Sequence, residues 1–271
     1  MKHNLGIGAT DELSLRVSVA TLARVIFKHP GNNEAMLALE RKATLLQNEV
    51  IVKSQPFGGA IRIQDLDAIH NLIGDFHFDS ERSRSEQDFR IFIQPASWSA
   101  LREFCIQHLS LVDDPILETD PTRELVEEFY DTLKINLQPE QYASKPVATV
   151  VENDPTPTNN IHAKNVPTVR VYRIFETTIL DATLARIMLN NSAGVTSQDL
   201  NRLAMDDHQH GGKGRANAVL VLSLHQIRDH YLALPAQLRN SQTIFKENKI
   251  DETVSAVLDD IAVPKYEKLN T

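Results

Sequence analysis

An α+β fold is what this sequence predicts, and three observations carry it. Segments rich in β-branched residues, "LRVSVATLARVIF" (15–27), "NEVIVKS" (48–54), "KPVATVVEN" (145–153), "PTVRVYRIFETT" (167–178) and "AVLVLSL", read as strands. Between them lie stretches with the apolar spacing of helices, such as "ASWSALREFCIQHL" and "DPTRELVEEFYDTL". Of the 271 residues 42% are hydrophobic, enough to bury one sizeable core, with room for an inserted or appended piece.

Taken in order, "NNEAMLALERKATLLQ" has good helix formers at helical spacing and is expected to be a helix between the first two strands. "PFGG" (56–59) breaks the chain, since paired glycines favour tight turns and close backbone approach. "DLDAIHNLI" is a short helix candidate. "HFDSERSRSEQDFRIFIQ" reads as a charged loop running into a strand at 89–94, and the helix after it has Ser97 or Ser99 as its cap. "DPTPTNNIHAKNV" is an exposed connection. "LDATLARIMLNN" and "TSQDLNRLAMDD" are two helices, the second capped by Thr196, and a further amphipathic helix is expected at 225–235. The tail "DETVSAVLDDIAV" is a last helix capped by Asp251.

Charge and composition narrow the partners. A formal charge of −8 opposes nucleic acid and anionic membranes, so an anionic ligand needs a local basic patch or a metal. No apolar run is long enough to span a bilayer, and the first residues lack the apolar core of a secretory signal, so a soluble, cytoplasmic protein is expected. The single cysteine, Cys105, reads as a small buried hydrophobe.

The helix at 120–133 carries the most chemistry. At 100° per residue Glu124, Glu127, Glu128 and Asp131 share one arc, and Leu125, Val126, Phe129 and Leu133 lie opposite. Like charges at 124/128 and 127/131 cost about 0.2–0.5 kcal/mol per pair in an isolated helix, so something positive should compensate. Asp120 and the following proline give a start signal. The arc is either an acidic metal site or the wet side of a surface helix.

A strand, then "PFGG", then "RELVEEF" resembles the Nudix hydrolases. Gly58 and Gly59 match the glycine entry of that signature, and Arg123, Glu124, Leu125, Glu127 and Glu128 match its helical half position by position. More than sixty residues separate the halves, so the motif is split by an insertion near 64–118 within a domain of residues 1–235, followed by a helical extension over 236–271. Asp65 stands six residues after Gly59, where the signature's first acid falls; counted back from Arg123, that place is held by Pro115.

The resemblance implies an α/β/α sandwich with a mixed sheet, a Mg2+ or Mn2+ cofactor, and water attack on a phosphoanhydride of a nucleoside diphosphate-linked substrate. It implies Glu127 and Glu128 as metal ligands, Glu124 as a further ligand or the base, Arg123 as the residue that orients them, Asp65 as a fourth acid, and a homodimer. Arg82 and Arg84 in "SERSRSEQDFR", and Lys213 and Arg215 beside the glycines of "HQHGGKGRAN", are candidate phosphate contacts. Two other readings stand beside hydrolysis. One is a nucleotide-sensing regulator of degenerate Nudix type, with a winged helix-turn-helix around 180–225, although its recognition helix would carry Asp199, Asp206 and Asp207 against Arg202 alone. The other is an interaction module without catalysis.

Overall fold

Strand β1 (Leu15–Lys28) is buried along nearly its whole length, which explains its richness in apolar and β-branched residues. The computed structural model in which it lies describes residues 14–46, 49–152, 154–158, 163–210, 216–235, 243–245, 248–258 and 266–270. One edge of β1 runs parallel to the strand at Pro167–Ile179, from Arg16 opposite Thr168 to Ile26 opposite Thr178. Its other edge is shared. Residues 25–28 pair with β2 (Ala35–Leu46), while β3 (Glu49–Gln55) pairs with the far half of β2. The chain then comes back to β1 at 57–61, with Ala23 N to Phe57 O at 2.7 Å and Thr21 N to Gly59 O at 3.0 Å.

The helix expected over "NNEAMLALERKATLLQ" is instead strand β2. Its Met36 and Ala38 join the core on one face of the sheet, Leu37 and Leu39 that on the other, and burial on both faces outweighs a helix propensity worth only tenths of a kcal/mol per residue.

From 64 the chain makes an excursion, one strand of which, at 90–93, returns to the sheet beside residues 15–18 of β1. Helix α1 (Leu66–Ile73), strand β4 (His77–Phe78), helix α2 (Glu81–Glu86), strand β5 (Arg90–Ile93) and helix α3 (Trp98–His108) follow in turn. The charged loop expected at 77–88 thus contains a short helix, which Ser80 starts by accepting the amide of Ser83 at 3.1 Å. The α3 terminus at Ser97 is made without a side-chain cap bond. The return limb pairs with the outgoing one: Gln64 N meets Ile116 O at 2.7 Å and Glu118 N meets Arg62 O at 2.9 Å. These bonds set the chain down at helix α4 (Thr122–Leu133), where Asp120 accepts the amide of Thr122 at 2.7 Å.

Strands β6 (Tyr142–Glu152), β7 (Thr156–Pro157) and β8 (Pro167–Ile179), helices α5 (Ala182–Gly194) and α6 (Ser197–His210), and strand β9 (Asn217–Ser223) come next. After a helical turn at Leu224–Gln226 that widens into a π-helical one at Ile227–Leu232, the tail adds β10 (Thr243–Phe245), β11 (Asn248–Ile250), the helix Thr253–Val257 and β12 (Tyr266–Asn270). The helix is capped by Glu252 rather than Asp251, which stands one residue before it and accepts the amide of Thr253, and the extension expected to be helical instead adds three strands to the main sheet. That sheet is mixed.

Helices lie on both faces of the sheet. Odd-numbered residues of β1 pack under α4, α5 and the excursion, whereas Ala20 and Leu22 meet Ile227, Tyr231, Val254 and Val257 from the C-terminal segment. This is the expected α+β sandwich. The pair α5–α6 belongs to it as well. Strand β9 pairs with β2 in the common sheet, and its amides at Val219 and Val221 donate to the side chains of Asn191 and Ser192 on α5. Leu200 and Ala204 of α6 are buried. A strand held this way is a sheet member rather than the wing of a separate DNA-reading unit. Among the described residues no helix is long and apolar enough to cross a membrane.

Candidate active site

Two adjacent stripes of α4 build the site. Leu125 and Phe129, four residues apart, sink into the core, and the Phe129 ring sits 4.9 Å from that of Phe57 just before the glycine pair. Burial of such side chains contributes about 1.5–3 kcal/mol each and pins the helix to the glycine turn. The neighbouring stripe, Glu124 and Glu128, is therefore pressed against Gly58 and Gly59.

The contacts are close. The Gly58 amide donates to Glu128 Oε2 at 3.2 Å, and a Cβ on Gly59 would overlap the Glu124 carboxylate. Gly58 has φ +137°, a backbone state open mainly to glycine. The split halves of the motif are thus rejoined by the pairing of 62–64 with 116–118.

The expected one-sided acidic arc divides in two. Glu124 and Glu128 are mostly covered, with side chains 14% and 13% exposed, while Glu127 is 56% exposed and Asp131 lies in solvent. The compensating charge comes from two sources. Arg123 reaches Glu124 at 2.6 Å, Glu127 at 3.6 Å, Glu118 at 2.7 Å and the Ala60 carbonyl at 3.1 Å. Lys42 of β2 reaches Glu128 at 2.8 Å and Glu40 at 2.7 Å.

Burial pushes the Glu124 carboxyl up to about 7; Arg123 pulls it down, and Glu128, Glu127 and Asp88 add to the rise. Burial and then Glu40 push Glu128 up to about 8 against the pull of Lys42. Burial disfavours the charges of Arg123 and Lys42, yet their acidic neighbours hold both above their ordinary values.

Among the described residues no three His, Cys, Asp or Glu side chains form a ready-made metal cage. The donor chemistry nonetheless fits a hard divalent cation. Carboxylate oxygens are the ligands such ions select, and Glu124 and Glu127 present theirs side by side next to Arg123.

The other expected residues fall as follows. Asp65 is exposed and caps α1, accepting the Ala68 amide at 3.0 Å, and Arg123 takes Glu118 as its acid on the approach to α4. Arg82 is paired with Glu86 at 2.9 Å and remains within electrostatic reach of Glu124 and Asp88. Arg84 is exposed beside Glu81 at 3.8 Å. Lys213 and Arg215 lie outside the described residues. Glu40, Lys42, Asp88 and Glu118 were not anticipated. Reading "ERK" as strand would have put Glu40 and Lys42 on one face, two residues apart.

Asp65 and Glu118 can be told apart by substitution. Asp65→Ala should cost about 1 kcal/mol of stability, as loss of a helix cap does, and leave metal affinity intact. Glu118→Gln should weaken metal binding about ten- to a hundredfold, because it removes the charge that holds Arg123 in place. Urea unfolding and calorimetric metal titration of both variants check this, and weakened metal binding in Asp65→Ala instead would return the fourth acid to position 65.

Comparison with curated proteins and with solved structures returns no match. The family model described as the SMODS-associated NUDIX domain matches residues 14–213, a span that includes the glycine turn, the whole excursion and α4. That span is well over half of the chain, and it holds both halves of the site: this protein belongs to the SMODS-associated NUDIX domain family.

Proposed function

We propose that this protein is a metal-dependent hydrolase of a phosphoanhydride in a nucleoside diphosphate-linked substrate, with Mg2+ or Mn2+ as cofactor. The observation that supports this most is the placement of Glu124 and Glu128 against Gly58 and Gly59, with Arg123 braced between Glu118 and the acidic face. Nudix domains generally use divalent metals, and Glu127, with Glu124 as a further ligand or the base, would hold the ion here, while Glu128, the other ligand the signature implies, is engaged by Lys42. When bound, such an ion neutralises pyrophosphate charge and makes water easier to deprotonate.

The chain's own residues supply the rest. Glu124, with its carboxyl near 7, is suited to take the proton of the attacking water. The water oxygen bonds to phosphorus, the anhydride P–O bond breaks, and its electron pair leaves with the departing phosphate. Arg123 keeps the carboxylates in register. Arg82, exposed and close enough to respond to Glu124, is the first candidate for a substrate phosphate, with Arg84, Lys213 and Arg215 after it.

Turnover across nucleoside diphosphate sugars, dinucleoside polyphosphates, NADH, ADP-ribose and nucleoside triphosphates, with Mg2+ or Mn2+, tests the reading. Glu127→Gln is expected to raise the metal concentration for half-activation about ten- to a hundredfold. No turnover of any compound by the folded wild type with metal present would overturn the hydrolase and move the weight to a sensor or interaction module.

A further inference from the structure

We propose that Lys42 is a resident cation of the acidic site: it holds Glu128 in place and fills the position of charge that a second divalent ion would take, so that the site admits a single ion. This rests on the hydrolase reading for the presence of that first ion. The two halves of the acidic face differ in kind. Glu124 and Glu127 look toward Arg123, and Glu127 is open to solvent. Glu128 is already satisfied on both oxygens, by Lys42 at 2.8 Å on Oε1 and by the Gly58 amide at 3.2 Å on Oε2.

Lys42 is itself held from behind. Glu40, fully buried, binds it at 2.7 Å and accepts from Gln55 at 3.2 Å, Thr132 at 3.3 Å and Asn217 at 3.4 Å. A lysine fixed by two carboxylates, one of them anchored in the sheet, is not a surface charge that happens to lie near the site. It matches Glu128 with one positive charge and leaves Glu124 and Glu127 as the acids open to an incoming ion. An ammonium and a hard divalent cation compete for the same carboxylate oxygens, so removing the ammonium should open the closed half to metal. Lys42 acts through Glu128 and is a positioning residue in this scheme.

The test counts bound ions. Equilibrium dialysis of the full chain against Mn2+, read by electron paramagnetic resonance, should show a single tight ion in the wild type and in Lys42→Arg. Lys42→Met should take up a second ion and show the broadened signal of two coupled Mn2+. A third of the Lys42 side chain meets solvent, so methionine leaves little cavity. If that variant fails to fold with Glu40 and Glu128 facing each other unpaired, Lys42→Met with Glu40→Gln removes the repulsion and should also take a second ion. Equal occupancy in the wild type and a folded Lys42→Met or double variant overturns the proposal and leaves the hydrolase standing, as does a wild type with two ions. A wild type that binds no Mn2+ overturns both.

Discussion

Gly59→Ala should disable the site while leaving the fold standing. The new methyl would overlap the end of the Glu124 side chain, and a flexible carboxylate yields more readily than the backbone beneath it. Glu124 would then leave its 2.6 Å contact with Arg123, and kcat/KM is expected to fall about a hundredfold, the scale of a displacement of about 1 Å in a reacting group. Stability should change by less than about 1 kcal/mol. Gly58→Ala makes the contrast. There the methyl would strike the Thr21 carbonyl, a backbone atom, from a residue at φ +137°, and strain of about 1–3 kcal/mol should lower the urea midpoint. Turnover and unfolding measured on both variants separate the roles. Wild-type rates in folded Gly59→Ala would show that Glu124 does not need its place.

The metal-free protein should lose stability as pH rises from about 5 to about 8, and divalent metal should restore it. Both covered carboxyls are raised above their ordinary 4.5, Glu124 to about 7 and Glu128 to about 8. A carboxyl raised on folding favours the native state while protonated. Its contribution is complete below the unfolded pKa and is lost as pH climbs through the folded one. A cation bound to the ionised Glu124 offsets that loss, by about 2.7 kcal/mol at a hundred times its dissociation constant. At about 2–4 °C per kcal/mol for a chain of this order of size, Mn2+ should raise Tm by several degrees at pH 8 and much less at pH 5.5. Equal shifts at both values, or none, would detach the metal from Glu124.

Helix α4 was legible in the sequence because its two faces are local: the stripe of Leu125 and Phe129 and the acids beside it follow from period alone. The strands at β1, β6, β8 and β9 were legible for the same reason. Strand β2 was not, since its alanines, leucines and glutamate suit a helix and only burial on both faces of the sheet, among three neighbouring strands, decides otherwise. That error concealed Glu40 and Lys42. Glu118 was hidden differently. Its role depends on a turn of the return limb that no spacing rule encodes, whereas Asp65 sat at the expected interval and serves as a helix cap.

The ladder between 62–64 and 116–118 also has a meaning in time. The glycine turn and α4 are strangers along the chain, and they meet only when the limbs of a long loop close. The entropy of closing such a loop grows slowly with its length, so the detour itself is tolerable, but contacts so distant in sequence form late. The site is therefore not present in either segment beforehand. It exists only where the excursion is folded, and because α1 and α3 pack Ile69, Ile73, Leu101 and Cys105 against Val17 and Val19 of β1, the site and the sheet share one core.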